Sequence, residues 1–414
     1  METGGRLKAS LSLFDAVNIA LGAMIGAGIF VIIGSAAALA GPGLVLSIII
    51  GALVAGLTGI ATAELSRKYP TSGGAYTFAK EVIGDKIGFI VGWVWLFSNI
   101  AIGATVALGF GSYLAFFFPS VPAQLAAGAL IIAICIVNLI GAKESSIVNN
   151  ILVAIKIGVL LVFVVMAAFS FKITNFTPFM PFGVQGVLAG AAAVFFAYSG
   201  FARVAVIADE IKDPKKNVAK ATLISIVLAS WIYFIVAAAA IGAVGYLAIA
   251  SSQSPLADAM VGLGFGYGAG LIGFGALIAT ATVALGSVLG LSRIAYTMAR
   301  NRDLPGFLAR IDKGGSVPVV AIVLSSLLML IFAWHVDLAS LAYLSSFSLL
   351  LYYVAINLSG IKVLSGATRI IALFGALSCG VLLINLPLAS WMFGFGVIFL
   401  GLIYLAAKET VFAK

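Results

Sequence analysis

Charged side chains are scarce in this chain. Of its 414 residues, 23 are Lys or Arg and 14 are Asp or Glu, so 9% are charged, where a soluble domain carries about 25%. A soluble globular fold is thereby excluded. Histidine occurs once, at His335, and cysteine twice, at Cys135 and Cys379, each Cys inside an apolar run with no Cys or His beside it. Such isolation provides neither the spacing of a zinc site nor a disulfide framework, and no metal or other cofactor is implied. No Asp or Glu is expected at mid-depth in any apolar run. That argues against a cationic substrate, and against an intramembrane enzyme, whose chemistry needs clustered His, Asp, Glu, Ser or Cys. The net charge of +9 arises from short basic bursts between apolar runs, not from one basic face or motif, so nucleic acid is set aside as a partner.

Apolar sequence, by contrast, is abundant: 63% of the residues are hydrophobic and 47 are glycine. A helix needs about 20 apolar residues to cross the hydrocarbon core. Windows of that kind fall at 12–39, 43–65, 87–118, 123–141, 147–171, 183–209, 220–247, 269–292, 317–335, 338–360, 369–386 and 388–407. The expected fold is an all-α polytopic membrane protein with 12 transmembrane helices in the lipid bilayer. The first apolar run is too long for the h-region of a signal peptide and reads as a retained helix.

Basic residues set the orientation. With the N-terminus cytoplasmic, 20 of the 23 fall in inner segments: Arg6, Lys8, Arg67, Lys68, Lys80, Lys86, Lys143, Lys212, Lys215, Lys216, Lys220, Arg293, Arg300, Arg302, Arg310, Lys313, Lys362, Arg369, Lys408 and Lys414. Lys172 alone falls outside, while Lys156 and Arg203 lie within crossings. The positive-inside rule then places both termini in the cytoplasm. The stretch ADEIKDPKKNVAKA after the sixth crossing reads as a solvated hinge at which Pro214 ends a helix, and the basic stretch 293–310 as an amphipathic segment along the inner interface.

Two crossings do not read as plain helices. The first contains GAMIGAGIF at 22–30, with Gly22, Gly26 and Gly28 near mid-membrane, where each Gly costs about 1 kcal/mol of helix propensity relative to Ala. The sixth contains FFAYSGF at 195–201, with Tyr198, Ser199 and Gly200 at mid-depth. Close helix packing explains either segment alone; the pair, in helices of opposite direction, points to an inverted-repeat transporter with its site at the midplane. Unwound backbone is tolerated there only where it lines a cavity or meets a ligand. The outer half of the first helix, beginning near Gly26, Ala27 and Gly28, would aim N–H groups and a positive dipole end at a carboxylate. Free carbonyls from Ala23, Met24 and Ile25, and from Phe195, Phe196 and Ala197, would face an ammonium group. Together they match a zwitterionic amino acid without any charged side chain.

The buried charges are few. Lys156 lies about ten residues into the fifth crossing, roughly 15 Å deep at 1.5 Å per residue; an ionised Lys there costs about 2.5–3.5 kcal/mol. It reads either as a titrating amine that makes the proton the coupling ion, or as a structural Lys held by carbonyls. Arg203, after the sixth-helix break, and Asp15, near the inner end of the first helix, read as an inner gate pair or as a static ion pair.

In order along the chain, GAMIGAGIF, AELSRKYPTSGGAY at 63–76, FFAYSGF, DEIKDPKKNVAKA at 209–221 and LSRIAYTMARNRDLP at 291–305 resemble amino acid permeases of the amino acid–polyamine–organocation (APC) superfamily. The resemblance spans most of the chain. It implies a LeuT-like fold with a 5+5 inverted repeat (residues 1–171 and 183–362), broken helices 1 and 6, two trailing helices (369–414), and alternating access in the cell membrane. It implies a substrate site on Met24 to Gly28 and on Phe195 to Gly200, with Phe196 covering the substrate. Lys156 resembles the fifth-helix Lys whose amine, in some proton-coupled members, takes the place of a sodium ion. The sequence departs from the family at Ala27, where many relatives have a small hydroxyl residue, and at Ala202-Arg203, where many have an acid. The missing acid points to neutral amino acids. A sodium-coupled carrier or an exchanger on the same fold, and a non-transporting scaffold subunit, remain as alternatives.

Overall fold

The computed structural model describes residues 11–69, 73–140, 146–311 and 318–412. Arg6, Lys8, Lys143, Lys313 and Lys414, and positions 70–72 of the second motif, lie outside the described residues. In a chain this apolar the backbone has to satisfy its own hydrogen bonds, which the α-helix does within one segment. Accordingly the described residues form helices joined by short turns, and their one β-type feature is an isolated parallel bridge between Leu11 and Ile211.

The helices are α1 (Leu13–Met24), α2 (Ile33–Ala40), α3 (Leu44–Lys68), α4 (Ala75–Val82), α5 (Asp85–Phe117), α6 (Ala123–Ile140), α7 (Ser146–Ala168), α8 (Gly183–Val194), α9 (Ala202–Val206), α10 (Pro214–Val244), α11 (Tyr246–Ala250), α12 (Pro255–Gly262), α13 (Gly266–Arg300), α14 (Val319–His335), α15 (Leu338–Val363), α16 (Gly366–Ile384) and α17 (Leu388–Phe412). Among the described residues, ten segments are long and apolar enough to cross a membrane; the first, Leu13–Lys68, runs 56 residues. It folds back at Gly41-Pro42-Gly43, where Gly41 has φ +60 and a side chain there would strike Pro181. Only glycine suits both constraints. The chain is thus a multi-pass, all-helical membrane protein.

Burial sorts the helices into centre and periphery. The span Gly183–Val206 is 83% buried over its apolar window, whereas Leu388–Lys408 is 22% buried. The broken element α1–α2 packs on α7, α8, α10 and α13, and α13 packs along α5. Outward-facing Phe395, Phe399 and Leu400 on α17, and Leu373, Phe374 and Leu377 on α16, are exposed apolar side chains that suit lipid contact.

Two details differ from the sequence-based expectations. Pro214 begins α10 instead of ending a helix; its missing N–H costs nothing at a first turn, where that group has no intrahelical partner. Likewise α13 continues to Arg300, so the first half of the basic stretch 293–310 is the end of a crossing helix and only Gly306–Ala309 forms a separate short turn.

Candidate functional site

The first break arises where α1 stops. Ile25 leaves helical geometry with φ −76 and ψ 92, and helix resumes after Ala27 through a wide π turn, Gly28–Ile32. Every residue from Ala23 to Gly28 is buried. The N–H groups of Gly26, Ala27 and Gly28 meet no hydrogen-bond acceptor among the described residues. Four carbonyls end the inner half, and two are occupied. Lys156 Nζ donates to Gly22 O at 3.0 Å, and the Tyr233 hydroxyl of α10 lies 2.6 Å from Met24 O. The carbonyls of Ala23 and Ile25 accept nothing among the described residues. The expected cluster of free carbonyls therefore narrows to two, flanking one that Tyr233 holds.

The sixth crossing departs from expectation in form. Phe195–Phe201 does not unwind; it tightens into seven residues of 3-10 helix, all buried, between α8 and α9. Runs of this type beyond three or four residues are uncommon and often mark hinges. Backbone and side-chain hydrogen bonds tie it to three other helices. Phe196 N–H donates to Ser346 Oγ of α15 at 3.3 Å, the Tyr353 hydroxyl donates to Tyr198 O at 3.4 Å, and Tyr198 donates its own hydroxyl to Ile48 O of α3 at 3.2 Å. Ala197 O lies 3.1 Å from the Tyr233 hydroxyl, so one side chain spans both broken elements. Ala197 O is thus not free as expected.

The two breaks touch. A Cβ added at Gly200 would come within 2.6 Å of Met24 N and 2.7 Å of Ala20 O, and one at Gly28 would overlap the Ala197 side chain. Both glycines allow a backbone approach that no other residue permits. Met24, Gly28, Ala197 and Gly200 are therefore brought together, and Phe196, with 3% of its surface exposed, and Ser199 are buried in the same segment.

The charged candidates separate. Lys156 is 1% exposed and reaches α1. Asp15 completes a capping box with Ser12 and accepts from Asn150 Nδ2 of α7 at 2.9 Å. Arg203 Nη2 donates to Ser287 Oγ of α13 at 3.2 Å. Among the described residues no ion pair joins Asp15 to Arg203.

Sequence reasoning passed over two features. Tyr233 stands in the apolar run WIYFIV; its signal was a hydroxyl that must find a partner once buried. Asp303 stands in the basic run RNRDLP, and the structure draws three side chains from two helices onto it. Lys80 of α4 lies at 3.1 Å, Lys408 of α17 at 3.2 Å, and Tyr76 of α4 donates its hydroxyl at 2.7 Å. Burial and the Asp303 hydrogen bond raise the Tyr76 hydroxyl above its usual 10.0. Burial pulls the Lys80 amine down, but Asp303 and Tyr76 outweigh it and leave it above 10.5.

The chain is similar over most of its length to known transport proteins. The amino acid permease family model matches residues 15–413. An uncharacterized transporter of Mycobacterium tuberculosis is 33% identical over 412 residues, covering 98% of this chain and 92% of its own. The branched-chain amino acid permease of Bacillus subtilis is 33% identical over 335 residues, 76% of this chain and 72% of that protein. The methylthioribose transporter of the same organism is 32% identical over 372 residues, 85% of this chain and 80% of its own.

Proposed function

The chain belongs to the amino acid permease family of the APC superfamily, and from that premise we propose that it carries neutral amino acids across the cell membrane by alternating access, coupled to protons through Lys156. The observation that carries the substrate class is the pairing at the first break. Three unpartnered N–H groups, on Gly26 to Gly28, stand beside two unpartnered carbonyls, on Ala23 and Ile25. Hydrogen bonds to a charged group contribute about 1.5–3 kcal/mol each, so such a cradle holds an α-carboxylate and an α-ammonium with no ion of its own. The side chain of the substrate would then meet the apolar and aromatic wall of Phe195, Phe196, Ala197 and Tyr198, with Ser199 and Gly200 completing the contact. No Asp or Glu is among these residues, which favours an uncharged side chain. The branched-chain specificity named for one relative agrees with that wall.

The ten apolar segments support a reading of twelve crossings, in which the first is divided at Gly41–Gly43 and the 17-residue α14 also crosses. Residues 1–171 and 183–362 would form the two halves of a LeuT-like 5+5 inverted repeat, with 369–414 as trailing helices. The distribution of basic residues supports a cytoplasmic position for both termini. Lys156 supports proton coupling because its amine reaches the end of α1 from α7, where gain or loss of a proton would alter the carbonyl it holds. Arg203 and Asp15 act separately in this scheme, each fixing one inner helix end.

Purified protein reconstituted into liposomes tests the proposal. An imposed proton gradient without sodium should drive accumulation of leucine, valine or another neutral amino acid. Uptake that requires sodium and ignores the proton gradient would replace the coupling reading; binding of no neutral amino acid at all would sink the substrate reading.

A further inference from the structure

Asn149 and Asn150, at the inner end of α7, have no role in the substrate cradle, yet they present buried polar atoms that nothing satisfies. Asn149 Nδ2 and Asn150 Oδ1 are shielded from solvent and have no hydrogen-bond partner among the described residues. A buried polar group left alone costs about 1–3 kcal/mol, and water is the usual occupant of a seam with several such groups.

The surroundings give these atoms a direction. Asn149, Val153 and Lys156 follow one another at helical spacing on the face of α7 that meets α1. All three converge on Gly22: a Cβ added there would come 2.8 Å from Asn149 Oδ1 and 3.2 Å from Val153, while Lys156 Nζ holds its carbonyl. At the other end Asn150 Nδ2 donates to Asp15 Oδ1, in the first turn of α1 and partly open to solvent. Carboxylate, two amides and amine therefore lie in sequence along a single seam between two helices, where Gly22, lacking a side chain, lets Asn149 and Val153 come close to α1.

We propose that this seam is the route by which the Lys156 proton leaves for the cytoplasm, with waters held by Asn149 and Asn150 and with Asp15 as the terminal collector. It rests on the proton-coupled reading above. In the step, the Lys156 ammonium becomes a neutral amine, the proton passes along water to the Asp15 carboxylate, and Asp15 returns it to bulk water. Lys212 is the cation within electrostatic reach of Asp15. Tyr233, on α10, is the titratable group beside the Lys156 end, through Met24 O.

The test uses full-length protein in liposomes with a pH dye inside, and compares Asn149→Leu with Asn149→Ser. Leu should cut proton-driven uptake about tenfold while substrate exchange at equal pH stays near normal, and Ser, small and able to hold water, should restore it. Unchanged proton-driven uptake in Asn149→Leu, or an equal loss of exchange, overturns the route. If the unsubstituted protein moves substrate with no dye response, the coupling reading fails and the route with it.

Discussion

At the scale of single residues, the polar groups that hold the site act mostly on backbone. Lys156 and Tyr233 hold carbonyls two residues apart at the same helix end, Gly22 O and Met24 O. Replacing Lys156 with Ala should abolish proton-driven accumulation in liposomes and leave counterflow exchange measurable; accumulation at the normal level would remove Lys156 from the mechanism. Tyr233→Phe strips the donor from two buried carbonyls, a loss of about 1–3 kcal/mol. It should lower thermal stability by a few degrees and weaken substrate binding in the same preparation. Gly200→Ala places a methyl against backbone atoms of α1, which cannot yield as a flexible side chain would. Overpacking of that kind costs about 1–3 kcal/mol, so this variant should reach the membrane poorly or transport little. Lys156 was legible in the sequence because an amine at that depth has no cheap explanation. Tyr233 was not, because an isolated Tyr in an apolar run is also ordinary packing, and its partner carbonyls lie more than two hundred residues away.

At the scale of elements, the first break was visible as three glycines in seven residues, and it occurs where they stand. The sixth was located correctly but misjudged in kind: FFAYSGF carries one glycine, and Ser346, Tyr353 and Tyr233 hold its backbone in a tight helix. Nothing local in the sequence foretells contacts supplied by α10 and α15. The Asp303 cluster was missed for the same reason, since α4, α13 and α17 are distant in sequence. Its pH dependence has a definite sign. Lys80 and Tyr76 both hold their protons more tightly in the folded protein than their usual 10.5 and 10.0. The stabilisation is therefore complete below about pH 10 and is lost as pH rises through the higher folded-state values. Thermal melts should show this alkaline decline in the native protein and a shallower one in Asp303→Asn, which also leaves the two lysines facing each other and lowers stability at neutral pH. Identical melts would mean that the cluster contributes nothing.

For the whole molecule, scarcity of charge made the membrane-spanning helical fold legible in the sequence. Apolar windows marked the crossings to within a few residues, except where helices continue into polar sequence, as α10 does at Pro214 and α13 does to Arg300. Hydropathy sees the membrane, whereas a helix ends where its hydrogen bonds do, and the two coincide only roughly. If the basic residues orient the chain as proposed, a cysteine placed at Lys172 should react with an impermeant thiol reagent added outside intact cells, and one at Arg369 should not. The reverse labelling would invert the topology.

The substrate cradle proposed at Gly26 to Gly28 is made of groups that every amino acid carries identically. Mutation can crowd those amides or move them, but it cannot change what they offer. A lineage built on this plan would then inherit its grip on the common part of the solute almost for free, while the surrounding wall remains open to drift and selection. New diets could be met by altering Phe196 or its neighbours, one substitution at a time, with the handle of the solute still held.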